Sequence, residues 1–162
     1  MTSIIINADD FGLTHGVNKA VIRAHQCGTL SSATLMANGL AWREAVQLAR
    51  ENPLLGVGVH LTLTALKPVL PRDKVPTLVK SDGSFRKSFP RLFFVSQSQV
   101  RAEWRAQLSR LFEAGLNPTH LDSHHHVHLV PSLFSIACEL AREFSIPAIR
   151  AFSPLSMVII GV

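Results

Sequence analysis

Residues 118–131 read PTHLDSHHHVHLVP. Pro118–Asp122 reads as a short strand, the histidines as the turn beyond its carboxyl end, and Pro131 as the first turn of a helix continuing to about Phe144. One stretch therefore holds a strand, a polar rim and a helix start, which is a βα unit. Five of the chain's eight histidines lie within nine residues here: His120, His124, His125, His126 and His128, with Asp122 among them. The run is interrupted and internal, so it is no purification tag. Metal binding, a pH-titrating cluster and a solvated loop are the readings to decide between.

The same unit recurs outward in both directions. Ser3–Ala8 (SIIINA), Ser31–Ala37 (SSATLMA), Gly56–Leu63 (GVGVHLTL) and Ile146–Phe152 (IPAIRAF) read as further strands. Helices are expected from the Thr14 cap to Gly28, over Ala41–Asn52 and over Ser98–Ala114, the last with Val100, Trp104, Leu108 and Leu111 on one side. Strands alternating with helices define an α/β chain with parallel strands and right-handed crossovers. Five strands are fewer than the eight of a complete βα barrel. The expected architecture is thus a run of parallel βα units from an irregular, incomplete (β/α) barrel spanning residues 1–152. A lid-like insertion covers 67–98, and 153–162 form an atypical tail that looks like the start of another strand.

Bulk properties narrow the function. The chain of 162 residues is 47% apolar and 17% charged, a globular composition with enough length for one core. No apolar run approaches the roughly 20 residues of a membrane span. The start, MTSIIINADD, lacks the basic region of a signal peptide, and two distant cysteines fit a reducing compartment, so a cytoplasmic location is expected. The net charge of +5 is local: residues 67–105 hold nine Lys/Arg against three Asp/Glu. That segment carries Pro68, Pro71, Pro76 and Pro90 and reads as a solvated excursion, so a nucleic-acid partner is not expected.

In parallel α/β folds ligands sit beyond the carboxyl ends of the strands. Asp9-Asp10-Phe11-Gly12 follow the first strand, His60 lies near the end of the third, and Asp122 with His124, His125, His126 and His128 follow the fourth. Each alone has a plain alternative: Asp9-Asp10 a turn, His60 a satisfied core histidine, Asp122-Ser123 a cap. Together they bring carboxylates and imidazoles to one rim. Two histidines and one carboxylate would hold a divalent metal and leave positions open for water and substrate. Asp9 and Asp10 would point to opposite sides of a continuing strand, so one could ligate while the other takes a proton.

NADDFGL (7–13), GVHLTLT (58–64) and THLDSHHHVHLVP (119–131) resemble the signatures of the YdjC-like carbohydrate deacetylases. The likeness runs from about residue 3 to 152 and is nearer the chitooligosaccharide branch than the hopanoid one. The resemblance implies a metal-dependent hydrolase on an irregular barrel related to the polysaccharide deacetylases. It gives Asp9 as the general base and Asp10, His60 and His124 as metal ligands. Asp122, His125, His126 and His128 would serve the substrate or support the ligands from behind. It implies Mg2+, with Zn2+ an equal match for two imidazoles and a carboxylate.

The expected reaction is removal of N-acetyl groups from amino sugars such as chitooligosaccharides, with a small carbohydrate as partner. Members of that family are usually much longer. A truncated remnant that binds sugar or metal without turnover is the first alternative, and a metal-dependent phosphoesterase the second. An incomplete barrel would expose strand edges, so self-association into a homo-oligomer is expected.

Overall fold

The computed structural model describes residues 4–153 and 156–161. Its elements are β1 (Asn7–Phe11), α1 (His15–Gln26), β2 (Ser32–Leu35), α2 (Trp42–Glu51), β3 (Gly56–Leu61), α3 (Gln97–Glu113), β4 (Leu121–Ser123), α4 (Pro131–Glu143), β5 (Ala148–Ser153) and β6 (Ser156–Gly161). The strands lie in the order β1-β2-β3-β4-β5-β6 in one sheet. β1 to β5 pair in parallel, as the alternation with helices demands.

Three expectations are corrected. The first strand begins at Asn7 rather than Ser3, which lies outside the described residues, so Asp9 and Asp10 stand within the strand instead of after it. Ile4, Ile5 and Ile6 are exposed beside this edge strand, at 79%, 61% and 47%. The tail does form a strand, but β6 runs antiparallel to β5, with Ala148 opposite Gly161 and Ser153 opposite Ser156. Two residues can link antiparallel neighbours, whereas a parallel return needs a crossover of a dozen or more.

The third correction concerns residues 67–98. The segment is packed, not solvated: Val75, Leu78, Val79, Phe85 and Leu92 are buried in the main core. Two 3-10 turns (Arg72–Lys74, Phe89–Phe94) and a Val79–Phe85 bridge give it structure, the bridge closing over the expected SDGS turn. Its Lys67, Arg72, Lys74, Lys80 and Lys87 stay exposed, so charge and apolar residues sort to opposite sides.

α3 buries the expected Val100, Trp104, Leu108 and Leu111, and also Glu103 and Gln107. Glu103 accepts from the Val69 and Leu70 amides at 2.8 and 2.9 Å. Gln107 exchanges two 2.9 Å bonds with the Thr62 backbone and donates to Glu103 at 2.8 Å. Burial pushes the Glu103 carboxyl up despite those bonds. This polar pair pins the chain as it leaves β3.

The two faces of the sheet differ in kind. Ala33, Leu35, Val57, Val59, Leu61, Leu121 and Ile149 join the apolar core with the helices. Asn7, Asp9, Ser32, Thr34, His60, Asp122 and Arg150, on five successive strands, hydrogen-bond to one another instead. The period of two along each strand makes this division, and it collects the polar side chains on one surface.

Candidate active site

At the end of β1 the pleat breaks. Asp10 takes φ +63°, and the register slips between Ala8 and Phe11. Aspartate tolerates this left-handed backbone better than most residues. Gly12 follows at φ +91°, where a side chain would be strained. Its amide donates at 2.7 Å to Oδ1 of buried Asn18 on α1, and the Asn18 amide group donates to Ala41 O and Glu44 Oε2 around the start of α2. Two helices thus hold the turn that aims Asp10. The expected opposite-sided pair is corrected: with the pleat broken, both carboxylates approach His60.

Asp10 Oδ1 lies 3.2 Å from His60 Nε2 and 2.9 Å from His124 Nδ1. Ligand atoms of the three lie within 4.8 Å of one another, close enough to share one cation. The second nitrogen of His60, Nδ1, stands 2.6 Å from Asp122 Oδ1. A carboxylate behind an imidazole fixes its tautomer and its aim, the usual backing of a metal-ligating histidine. His60 and Asp122 are 1% and 0% exposed. Burial works against a charged His60 ring, but the bonds to Asp10 and Asp122 outweigh it and raise its pKa to about 9. The same bonds from His124 and His60 hold Asp10 far below the ordinary carboxylate range. Asp122 is lowered too: burial opposes its charge, and His60 and Arg150 overcome that.

A second trio, Asp9, His60 and Asp122, has comparable spacing. There a cation is already supplied by the chain. Arg150 Nη1 lies 2.8 Å from Asp9 Oδ1 and 2.9 Å from Asp122 Oδ2. Asp10, His60 and His124 are therefore the set open to a metal. Arg150 is the residue that reading the sequence missed. Its one signal was an arginine between Ile149 and Ala151 in a strand otherwise apolar.

The histidine run divides by depth. Left-handed backbone at His125 (φ +57°) and His126 (φ +53°) kinks the chain just past β4 and swings the run across the strand end. His125 is exposed, stacks on His124 at 3.9 Å between ring centres, and meets Thr64 Oγ1 at 3.1 Å. His126 is half-buried on the same turn. His128 is fully buried. His120 lies below the site, its Nε2 3.2 Å from Asn7 Oδ1 and its ring against Gly58, where a Cβ would approach to 2.6 Å. Burial lowers the pKa of both His120 and His128, which favours their neutral rings.

Fold and site together define an α/β chain with an Asp/His cluster at the carboxyl ends of parallel strands. Residues 3–159 match the profile of the YdjC-like proteins, and the chain belongs to that family. It is 46% identical over 144 residues to a carbohydrate deacetylase of Brevibacillus brevis, covering 89% of this chain and 57% of that one. It is 44% identical to a carbohydrate deacetylase of Oceanobacillus iheyensis, covering 88% and 62%. A crystal structure from Enterococcus faecalis V583, named as a candidate for cellobiose-phosphate cleavage, superposes with a TM-score of 0.86 at 41% identity, covering 93% of this chain and 59% of that one. The chain thus spans less than two-thirds of the length of these relatives. Among the described residues no helix is long and apolar enough to cross a membrane.

Proposed function

We propose that this chain carries the catalytic centre of a metal-dependent hydrolase that removes N-acetyl groups from amino sugars, chitooligosaccharides being the substrate class best suited. The observation that carries this reading is the pairing of two carboxylates at one strand end. Asp10 stands between two imidazoles, and Asp9 beside it is held by Arg150. Asp10, His60 Nε2 and His124 Nδ1 would hold the metal. Two imidazoles and one carboxylate suit Zn2+ at least as well as the Mg2+ that family resemblance suggests. Bound there, a divalent cation would polarise the acetyl carbonyl and acidify water.

The chain's own residues do the rest. Asp9 takes the proton of the attacking water. Arg150 fixes which way its carboxylate faces. Asp122 keeps the His60 Nδ1 proton, so Nε2 is the nitrogen offered. His125, exposed at the rim beside His124, is placed to meet the substrate. The polar sheet face would form the inside of the barrel. Ligand, base and backing roles for these residues are parts of this proposal.

The test is acetate release from N-acetylglucosamine oligosaccharides with added Zn2+ or Mg2+. Release abolished by Asp10→Asn and by Asp9→Asn supports the reading; unchanged turnover in Asp9→Asn would remove the base. A second reading is that the Asp/His cluster binds sugar or metal without turnover. Metal and sugar binding with no acetate would select it. A phosphoesterase with two metals is disfavoured, because Arg150 occupies the second cation position.

A further inference from the structure

His128 is a buried ring that the proposed chemistry does not use. β4 and β5 pair at one position, Leu121 with Ile149. Beyond it the left-handed kink at His125 and His126 carries the chain off the end of β4. Where the strands part, His128 Nε2 reaches Arg150 O at 2.8 Å. A carbonyl only accepts, so Nε2 carries the proton and donates it. Nδ1 is then the acceptor and takes the Ser123 hydroxyl at 2.5 Å. The same hydroxyl oxygen accepts from the His128 amide at 2.9 Å. Ring, tautomer and turn are therefore locked by one serine at the end of β4.

We infer that His128 is a positioning residue: a side-chain staple between β4 and β5 that holds the Arg150 backbone so that its guanidinium reaches Asp9 and Asp122 together. Both contacts run through one nitrogen, Nη1, at 2.8 and 2.9 Å. A single nitrogen shared by two carboxylates tolerates little sliding of β5 against β4, and on that side the ladder has already ended, the β6 ladder holding only the other edge of β5. The path is Ser123 to His128 to the Arg150 carbonyl, then the Arg150 side chain to Asp9. That Asp9 is the base rests on the proposed deacetylase reading; that His128 holds Arg150 does not.

The experiment uses the full chain and reads Arg150 directly, by exchange of its guanidinium protons in 15N-edited NMR. His128→Phe keeps the ring's bulk and loses both bonds; His128→Gln places an amide donor near Nε2. Exchange should quicken by about tenfold or more in the phenylalanine variant and stay near wild type in the glutamine variant. Zn2+ affinity, set by Asp10, His60 and His124, should not change in either, which separates positioning from misfolding. Unchanged exchange in a phenylalanine variant that still binds Zn2+ would overturn the inference. Should that variant fail to fold, Ser123→Ala, which frees the ring without removing it, is read by the same two outcomes. Where acetate release is measurable, His128→Phe should lower kcat by on the order of tenfold with KM unchanged, and add nothing in an Arg150→Ala background. No release from any variant would count against the deacetylase alone, since the exchange experiment needs no turnover.

Discussion

His124 and His128 stand four residues apart in one run and are put to opposite uses. His124 lies at the rim with Nδ1 turned to Asp10, one of three groups that could share a cation. His128 is fully buried and spends both nitrogens on the protein, one on Ser123 and one on Arg150 O. The same division separates His60 from His120, whose rings lie on one face of the sheet. His60 meets carboxylates, whereas His120 meets Asn7 and Thr119. What a histidine does here is decided by which partner faces each ring nitrogen. Composition and spacing do not distinguish the two kinds.

The sharpest way to break this comparison is at the ligands. Asp10→Asn or His124→Ala should weaken Zn2+ binding by roughly a hundredfold or more, read by calorimetry, since each removes one of the three proposed ligands. His120→Gln should leave it within a few-fold. A histidine at depth that mattered as much as one at the rim would erase the distinction. Next, Asp9→Asn should keep metal affinity while acetate release falls by about a hundredfold to ten-thousandfold, the usual worth of a general base.

The folded pKa of His60 is raised above its unfolded value, to about 9. Its pairing with Asp10 and Asp122 is therefore fully stabilising below about 6.5 and lost as pH climbs through about 9. The metal-free chain should melt at progressively lower temperature across that window. Asp122→Asn should flatten the dependence. Asp10 and Asp122, both depressed, act in the other direction: their contribution is present above their unfolded values and lost in acid. Because the imidazolium must lose its proton to ligate, Zn2+ binding at pH 7 should release about one proton, measured in buffers of differing ionisation heat.

The smallest effect expected is at depth. Gly58→Ala would drive a methyl against the His120 ring and should cost about 1–3 kcal/mol in thermal or denaturant unfolding. A His120→Ala background should relieve most of it. Full cost in that background would mean that the ring is not what Gly58 makes room for.

The alternation of strands and helices, the α3 stripe of Val100, Trp104, Leu108 and Leu111, and the meeting of three strand ends at one rim were all legible in the residues. Each follows from a local rule: a period of two, a period near 3.6, and the place where parallel strands present their ends. Arg150 was not legible, since its partners Asp9 and Asp122 are 141 and 28 positions away in the chain and meet it only across the sheet. Residues 67–98 were misread for a related reason. Their charges and prolines describe the surface side, while Val75, Leu78, Val79, Phe85 and Leu92 join a core built from distant parts of the chain.

By itself, then, the sequence determined the class of fold and which residue types gather at the strand ends, because both follow from spacing along the chain. The tertiary structure decided which of two adjacent aspartates stands between the imidazoles, which histidines face a carboxylate, and that an arginine fills the other carboxylate pair. Those outcomes rest on one left-handed residue at Asp10, one kink at His125 and His126, and contacts between distant strands. No local pattern encodes an interaction whose partners meet only when the sheet forms.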